Sequence, residues 1–366
     1  MMPLIQLALT MFMLRHVAAR TTTRFYPRHQ GSMSGVRRGN GVVKNGNMLW
    51  ITQGDGSLRI LSITDDDIAE VALFEPTKMT NRDIECQSSV TLYEIDGVVQ
   101  YGVYSIIDVP TNDNNQTIVS RLLAVSPSGD QLRETIVAGV AVGTPQISTD
   151  GSAYVVHNDF SPEIHGGYNF GKLSVVDDRF GLARSIDLNG ASLFGVAGVE
   201  REAPFGPLSS TARSPDDPDA KLYFGESWGN GEAAFGLLYE FDGTDVTGLT
   251  RVNWSTVTPP IVSTDGKSMW LGGSGSSVHG WVENRPFKSQ PSWSINLGSG
   301  PRAIEFEILP TVDNELLFVL TPHHQVFCLN ATTGGIIWEN NGQVVAPTTM
   351  HLSGDEFTLF TIGTDK

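Results

Sequence analysis

Apolar residues along this chain come in short bursts cut by Gly, Asp, Asn and Pro. Asn47-Met48-Leu49-Trp50-Ile51-Thr52 and Ser57-Leu58-Arg59-Ile60-Leu61 are two of them. No stretch carries apolar residues at i, i+3, i+4 and i+7 over several turns, the mark of an amphipathic helix. The bursts read as β-strands and the cutting residues as turns. An all-β chain built of short antiparallel strands is expected.

The bursts belong to a repeat. The phrase Thr144-Pro145-Gln146-Ile147-Ser148-Thr149-Asp150-Gly151 returns as Thr258-Pro259-Pro260-Ile261-Val262-Ser263-Thr264-Asp265-Gly266. Looser copies are Leu309-Pro310-Thr311-Val312-Asp313-Asn314, Ala346-Pro347-Thr348-Thr349-Met350, and the Ala203 to Leu208 stretch. Each precedes an apolar strand. The prolines at 145, 204, 259, 310 and 347 are spaced by 59, 55, 51 and 37 residues. A period of roughly 40–60 residues made of four short strands is the signature of a β-propeller. Proline donates nothing to a ladder, so it is expected at the first residue of each blade's innermost strand.

Seven four-stranded antiparallel blades are expected, with eight as the alternative. Blade one holds the two bursts quoted above. Blades two to six span about 86–139, 144–198, 203–256, 258–304 and 307–343. The last repeat, 346–366, holds only two strands. The segment around Thr22 to Gly31 is expected to supply its outer strands, so that N- and C-terminal strands close the ring and remove unpaired edges.

One repeat end is more specific. Cys328-Leu329-Asn330-Ala331-Thr332-Thr333-Gly334-Gly335-Ile336-Ile337-Trp338 resembles the repeat of the quinoprotein alcohol dehydrogenase-like (PQQ-like) propellers, A-x-D-x-x-T-G-x-x-x-W. Cys328 replaces the Ala and Asn330 the Asp, while Thr333, Gly334 and Trp338 match. A degraded copy, Val175-Val176-Asp177-Asp178-Arg179-Phe180-Gly181, has Ser185 in place of the Trp. The resemblance implies that the Asp/Thr/Gly set turns between outer strands and that the Trp docks on a neighbouring blade. It also implies a test for cofactor chemistry. The family's quinone enzymes use an adjacent Cys-Cys pair, with Glu, Asn and Asp on calcium. Here Cys86 and Cys328 are far apart in sequence, so neither quinone nor calcium is expected. The repeat is read as a folding unit only.

Charge narrows the partners. The chain carries 24 Lys+Arg against 40 Asp+Glu, a net charge of −16. Up to Gly54 there are seven basic residues and no acid, so the body is more acidic still. Such a body repels phosphate backbones, and no nucleic acid is expected as partner. The two cysteines exclude a disulfide scaffold and any Cys-rich metal site; they are expected to be buried free thiols. The apolar run Pro3 to Leu14 is too short to span a membrane. It has the length of a secretory core, and Val17-Ala18-Ala19 offers small residues for cleavage. Residues 1–19 are therefore read as a signal and 20–366 as one propeller domain. Export is expected, with an organellar transit peptide as the alternative because Arg15, Arg20, Arg24 and Arg28 lack interspersed acids.

Reactive constellations are sparse. His323-His324 sit in a turn, and acidic clusters at Asp65-Asp66-Asp67 and Asp216-Asp217 read as solvated turns. His157 and His165 bracket a loop with Asp159 and Glu163, where a metal site is the less favoured reading. The second-to-third-strand connections are more telling. They are tight in blades one and six but long in blade two (Asp108 to Thr117), blade three (Asn158 to Gly171) and blade four (Trp228 to Phe235). Long loops on a rigid scaffold are where binding resides. Phe160, His165, Tyr168, Phe170, Trp228 and Phe235 are the candidate binding residues. A non-enzymatic binding scaffold for a protein or carbohydrate is expected. The alternatives are an enzyme at the channel mouth (a PQQ-type oxidoreductase or a hydrolase/lyase) and a small-ligand or metal sensor.

Overall fold

A computed structural model describes residues 42–63, 68–86, 88–111, 118–141, 144–148, 150–159, 170–188, 221–228, 235–252, 260–263, 266–273, 276–283, 290–298, 307–311, 313–321, 325–340, 347–352 and 359–363. These residues form β-strands and turns, arranged in seven antiparallel sheets.

Sheet one holds β1 (Val42–Asn45), β2 (Met48–Thr52), β3 (Leu58–Ile63) and β4 (Ile68–Phe74). Sheet two holds β5 (Arg82–Glu85), β6 (Thr91–Ile95), β7 (Val98–Pro110), β8 (Val119–Val125) and β9 (Gln131–Ala138). Sheet three holds β10 (Gln146–Ile147), β11 (Ala153–Asp159), β12 (Phe170–Val176) and β13 (Leu182–Leu188). Sheet four holds β14 (Leu222–Trp228), β15 (Phe235–Phe241) and β16 (Val246–Val252). Sheet five holds β17 (Ile261–Val262), β18 (Met269–Gly273), β19 (Ser277–Trp281) and β20 (Trp293–Asn296). Sheet six holds β21 (Glu307–Pro310), β22 (Leu316–Leu320), β23 (Val326–Asn330) and β24 (Ile336–Asn340). Sheet seven pairs β25 (Pro347–Leu352) with β26 (Leu359–Gly363).

The repeated phrase becomes a repeated turn. Gly151 donates to the Ser148 carbonyl at 3.0 Å, Gly266 to Ser263 at 2.8 Å and Asn314 to Thr311 at 3.0 Å. All three closing residues have left-handed φ, +85°, +67° and +60°. Gly, or Asn, fits this conformation best, which is why the phrase ends in Asp-Gly or Asp-Asn. The turns between third and fourth strands recur too. The Asn330 side chain accepts from the Thr332 and Thr333 amides at 3.1 and 2.8 Å, standing in for the Asp of the repeat. Asp177 and Asp242 do the same in sheets three and four. A register shift lies beside this turn in five sheets, at Ile60/Leu61, Ala124/Val125, Val175/Val176, Leu238/Tyr239 and Cys328/Leu329. Each bulge adds twist to the outer strands.

Packing is face to face and sequential. Trp50, Leu58 and Ile60 of sheet one meet Tyr104, Ile106 and Leu123 of sheet two. Val103 and Leu122 on the other side of sheet two meet Ala153 and Val155 of sheet three. Leu173 joins Phe224 and Tyr239 of sheet four, and Tyr223 and Leu238 join Met269 and Trp281 of sheet five. Trp270 and Val278 meet Leu317 and Val319, and Phe318 and Cys328 of sheet six meet Met350 of sheet seven. Sheets two to six each pack both faces against their neighbours in sequence, so alternate residues of one strand serve two cores.

Several expected boundaries shift. Sheet two begins at Arg82 rather than Cys86, because β5 and β6 share one edge of the long β7. Pro310 ends its inner strand rather than opening it, pairing Leu317 across the turn. An inner strand lies at a sheet edge, so the missing N–H is tolerated at either end. The segment from Thr22 to Gly31 lies outside the described residues.

Candidate binding rim

The connections between second and third strands emerge at one end of each sheet. In sheet one this connection is Gly54-Asp55-Gly56, held by Gly56 donating to the Gln53 carbonyl at 2.9 Å. It is pressed onto sheet two: the Tyr104 hydroxyl donates to the Gly56 carbonyl at 2.8 Å, and the Cys86 amide to Gly54 at 3.0 Å. A Cβ on Gly56 would lie 2.5 Å from the Ile84 side chain, so the turn requires Gly for space as well as for its φ of +85°.

At the same end of sheet two the expected loop starts late. Asp108 is not a loop residue but lies within β7, paired with Ile84 on one side and Val119 on the other. Its carboxylate accepts two bonds from Arg121 of β8, Nε at 2.6 Å and Nη2 at 2.9 Å. The side chains are 0% and 3% exposed. Glu134 of β9 lies 3.6 Å from the same guanidinium, and Arg82 donates to the Asp108 carbonyl at 2.9 Å. One buried, two-pronged ion pair thereby clamps β7 to β8, with Glu134 of β9 and Arg82 of β5 gathered beside it.

Sheet three is tied to sheet two at this end. His157 lies buried in β11 rather than in the loop. Its Nδ1–H donates to the Ala138 carbonyl at the end of β9 at 2.6 Å, and its Nε2 lies 2.8 Å from Ser174 Oγ. Hydroxyls staple the link between the two sheets. Ser105 Oγ donates to the Ala141 carbonyl at 3.4 Å, and Ser120 Oγ accepts from the Ala141 amide at 2.8 Å and donates to Gly139 at 2.9 Å.

The expected candidate residues fall as follows. Phe160, His165 and Tyr168 lie outside the described residues. Phe170 is the first residue of β12, paired with Asp159, and so belongs to the strand rather than the loop. Trp228 and Phe235 face each other as the last rung of the β14–β15 hairpin. The backbone thus places these three at the same end as Asp108 and His157, on sheets two to four. Asp108, Arg121 and His157 were missed as rim supports. The one signal was Arg121 itself, a charge inside the otherwise apolar and hydroxyl-bearing strand Val119-Ser120-Arg121-Leu122-Leu123-Ala124-Val125.

The titratable groups here are already engaged inside the chain. Burial pushes the Cys86 thiol up to about 12, and it raises the Tyr104 hydroxyl well above its ordinary value. Cys86 and Cys328 are both buried free thiols. Elsewhere, burial lowers His279 to about 3, with Ser294 Oγ at 2.8 Å and Ser277 Oγ at 3.0 Å from its ring nitrogens. Among the described residues no three His, Cys, Asp or Glu side chains gather as metal ligands, and no helix is long and apolar enough to cross a membrane.

No protein-family model matches the sequence, and no curated protein matches it. Solved structures do resemble the fold. The C-terminal WD40 domain of Sif2 superposes with a TM-score of 0.54 at 9% identity, covering 89% of this chain and 79% of that one. The Dos1 propeller gives a TM-score of 0.53 at 14% identity, covering 87% and 73%. The chain is a β-propeller. At such identities the likeness speaks of fold alone. It reaches WD40 propellers and does not assign this propeller to the PQQ-like superfamily that Cys328 to Trp338 resembles.

Proposed function

We propose that this propeller is a non-enzymatic scaffold that binds a protein partner through the rim of blades two to four. The carrying observation is the bracing of that rim. The Asp108–Arg121 clamp and the His157 bridge to Ala138 sit directly beneath the ends where the long connections leave. A binding loop gains affinity when its base is fixed in advance, because less order is lost on association. Phe160, His165, Tyr168, Phe170, Trp228 and Phe235 would supply the contact. Aromatic side chains dominate protein contact surfaces, and this acidic body favours a partner that is not itself an acidic polymer.

In this reading the seven sheets are seven blades with N- and C-terminal strands closing the ring. The repeat is of the PQQ-like type, kept for folding without quinone or calcium. Support comes from the Asn330 turn and from Trp293, which packs on the next blade's turn as that repeat's Trp would. Residues 1–19 would direct export and be removed after Ala19, which the N-terminal residue of the secreted chain would test.

The binding test compares the full chain with a Phe160→Ala, Trp228→Ala, Phe235→Ala variant in quantitative co-purification from native extract. Partners that drop out with the variant, at unchanged melting temperature, support the reading. Partners unaffected by it, or a melting shift with quinone plus Ca²⁺ or with a sugar, overturn it.

A further inference from the structure

The turn between β23 and β24 carries a side chain that the fold uses only in part. Asn330 Oδ1 accepts from the Thr332 and Thr333 amides at 3.1 and 2.8 Å and from the Thr333 hydroxyl at 3.0 Å. Its backbone is paired as well. The Asn330 amide donates to the Gly335 carbonyl, and the Gly334 amide to the Asn330 carbonyl, both at 2.8 Å. The side-chain nitrogen is different. Asn330 Nδ2 makes no hydrogen bond among the described residues and is not buried, so it faces solvent.

The turn does not require that nitrogen. In sheet three Asp177 accepts from the Arg179 and Gly181 amides at 3.0 and 2.7 Å, and in sheet four Asp242 accepts from Thr244 and Asp245 at 2.8 Å each. A carboxylate therefore serves the same turn, and accepting these bonds does not select Asn over Asp. What Asn330 adds is an acceptor sequence for an N-linked glycan, Asn330-Ala331-Thr332. Thr332 is exposed, and its hydroxyl makes no hydrogen bond among the described residues. Two more such sequences, at Asn115 and Asn253, lie outside the described residues.

A glycan at Nδ2 would cost the fold nothing. It replaces one hydrogen of the nitrogen and leaves Oδ1 a carbonyl oxygen, so all three bonds to Oδ1 survive. Sheet five holds the other side of the turn. Trp270 and Trp293 both donate their indole N–H to the Ala331 carbonyl, at 3.0 and 3.1 Å, and the Trp293 ring fills the space a Cβ on Gly334 would need. Ala331 and Gly334 are buried against these rings, while Thr332 and Thr333 are exposed. Since β23 runs from the rim end to this turn, a glycan here stands at the end opposite the rim.

We propose that Asn330 carries an N-linked glycan, added during export, which leaves the rim clear for its partner. This rests on the export reading above. The donor is an oligosaccharide on a lipid diphosphate, brought by a transferase of the secretory pathway. A bond forms between Asn330 Nδ2 and the anomeric carbon of the first sugar. The bond from that carbon to the diphosphate oxygen breaks, the lipid diphosphate leaves with the electron pair, and the amide gives up one proton to a base.

Peptide mapping of the full chain expressed in cultured insect cells tests it. In the secreted protein the peptide holding Asn330 is expected to carry a glycan that a peptide N-glycosidase removes, leaving Asp at that position. Asn330→Asp keeps the turn acceptor, and Thr332→Ala leaves Asn330 in place. Both variants are expected to be secreted with the melting temperature of the deglycosylated wild type and with no glycan on that peptide. A secreted wild type with Asn330 unmodified overturns the glycan while the export reading stands. A glycan that persists at Asn330 in Thr332→Ala also overturns it. A chain retained in the cytosol defeats export and the glycan together.

Discussion

Removing the Asp108 carboxylate tests whether the blade-two rim is clamped by a buried charge pair. In Asp108→Ala the Arg121 guanidinium stays 3% exposed and loses both short bonds, at 2.6 and 2.9 Å. What remains nearby is Glu134, at 3.6 Å and partly solvated. Stranding one member of a buried pair costs about 3–5 kcal/mol, and Glu134 recovers part of that, so about 3 kcal/mol is expected. An unfolding entropy of about 2.1 cal/mol/K per residue makes this a fall of roughly 4 °C in Tm for a chain of this length. The double variant Asp108→Leu, Arg121→Met removes both charges together. It should cost roughly 1 kcal/mol or less, since apolar residues of similar volume replace buried pairs well. Urea titration of wild type, both single variants and the double variant measures the coupling. A single-variant loss below about 1 kcal/mol, or a double variant as unstable as Asp108→Ala, refutes the clamp.

Three further outcomes follow from the same geometry. His279, held near 3 by burial against an ordinary 6.5, is neutral in the fold, so the unfolded chain binds the extra proton between those values. Stability should be level above about pH 6.5 and fall by roughly 1.4 kcal/mol per pH unit below it; a His279→Gln variant whose acid slope equals wild type would contradict this. Cys86, raised to about 12, should resist alkylation at pH 8 in the folded chain and react only on unfolding, as mass spectrometry would read. Gly334→Ala should cost about 3 kcal/mol, from the left-handed φ of +72° and the collision with Trp293, and a variant within about 0.5 kcal/mol of wild type in urea would show the tryptophan is not seated there.

Much of the fold was legible because it rests on local chemistry. The Asp-Gly and Asp-Asn phrases demand left-handed residues, and these became the same turn in sheets three, five and six. The alternating strands between them could bury both faces only by stacking. What escaped the sequence depends on residues brought together across strands. Asp108 reads as a loop opener because nothing local says that β5 will pair with Ile107–Pro110 or that Arg121 will meet it. His157 reads as the edge of a polar loop because Ala138 and Ser174 are its neighbours only in space. Trp293 lies outside any clean copy of the repeat, yet it seats on Gly334 as the repeat's Trp would. Of the six proposed rim residues, Phe170, Trp228 and Phe235 fall at strand ends beside the long connections.

The proposed protein partner would be held by one rim of this propeller. Photo-crosslinking amino acids placed singly at Phe160, Trp228 and Phe235 test it most directly, with Ile95 and Val98 on the β6–β7 turn at the opposite end as controls. One discrete crosslinked protein, shared by the three rim sites and absent from the two controls, is expected. Crosslinks from the controls alone, or no shared product among the rim sites, would contradict it.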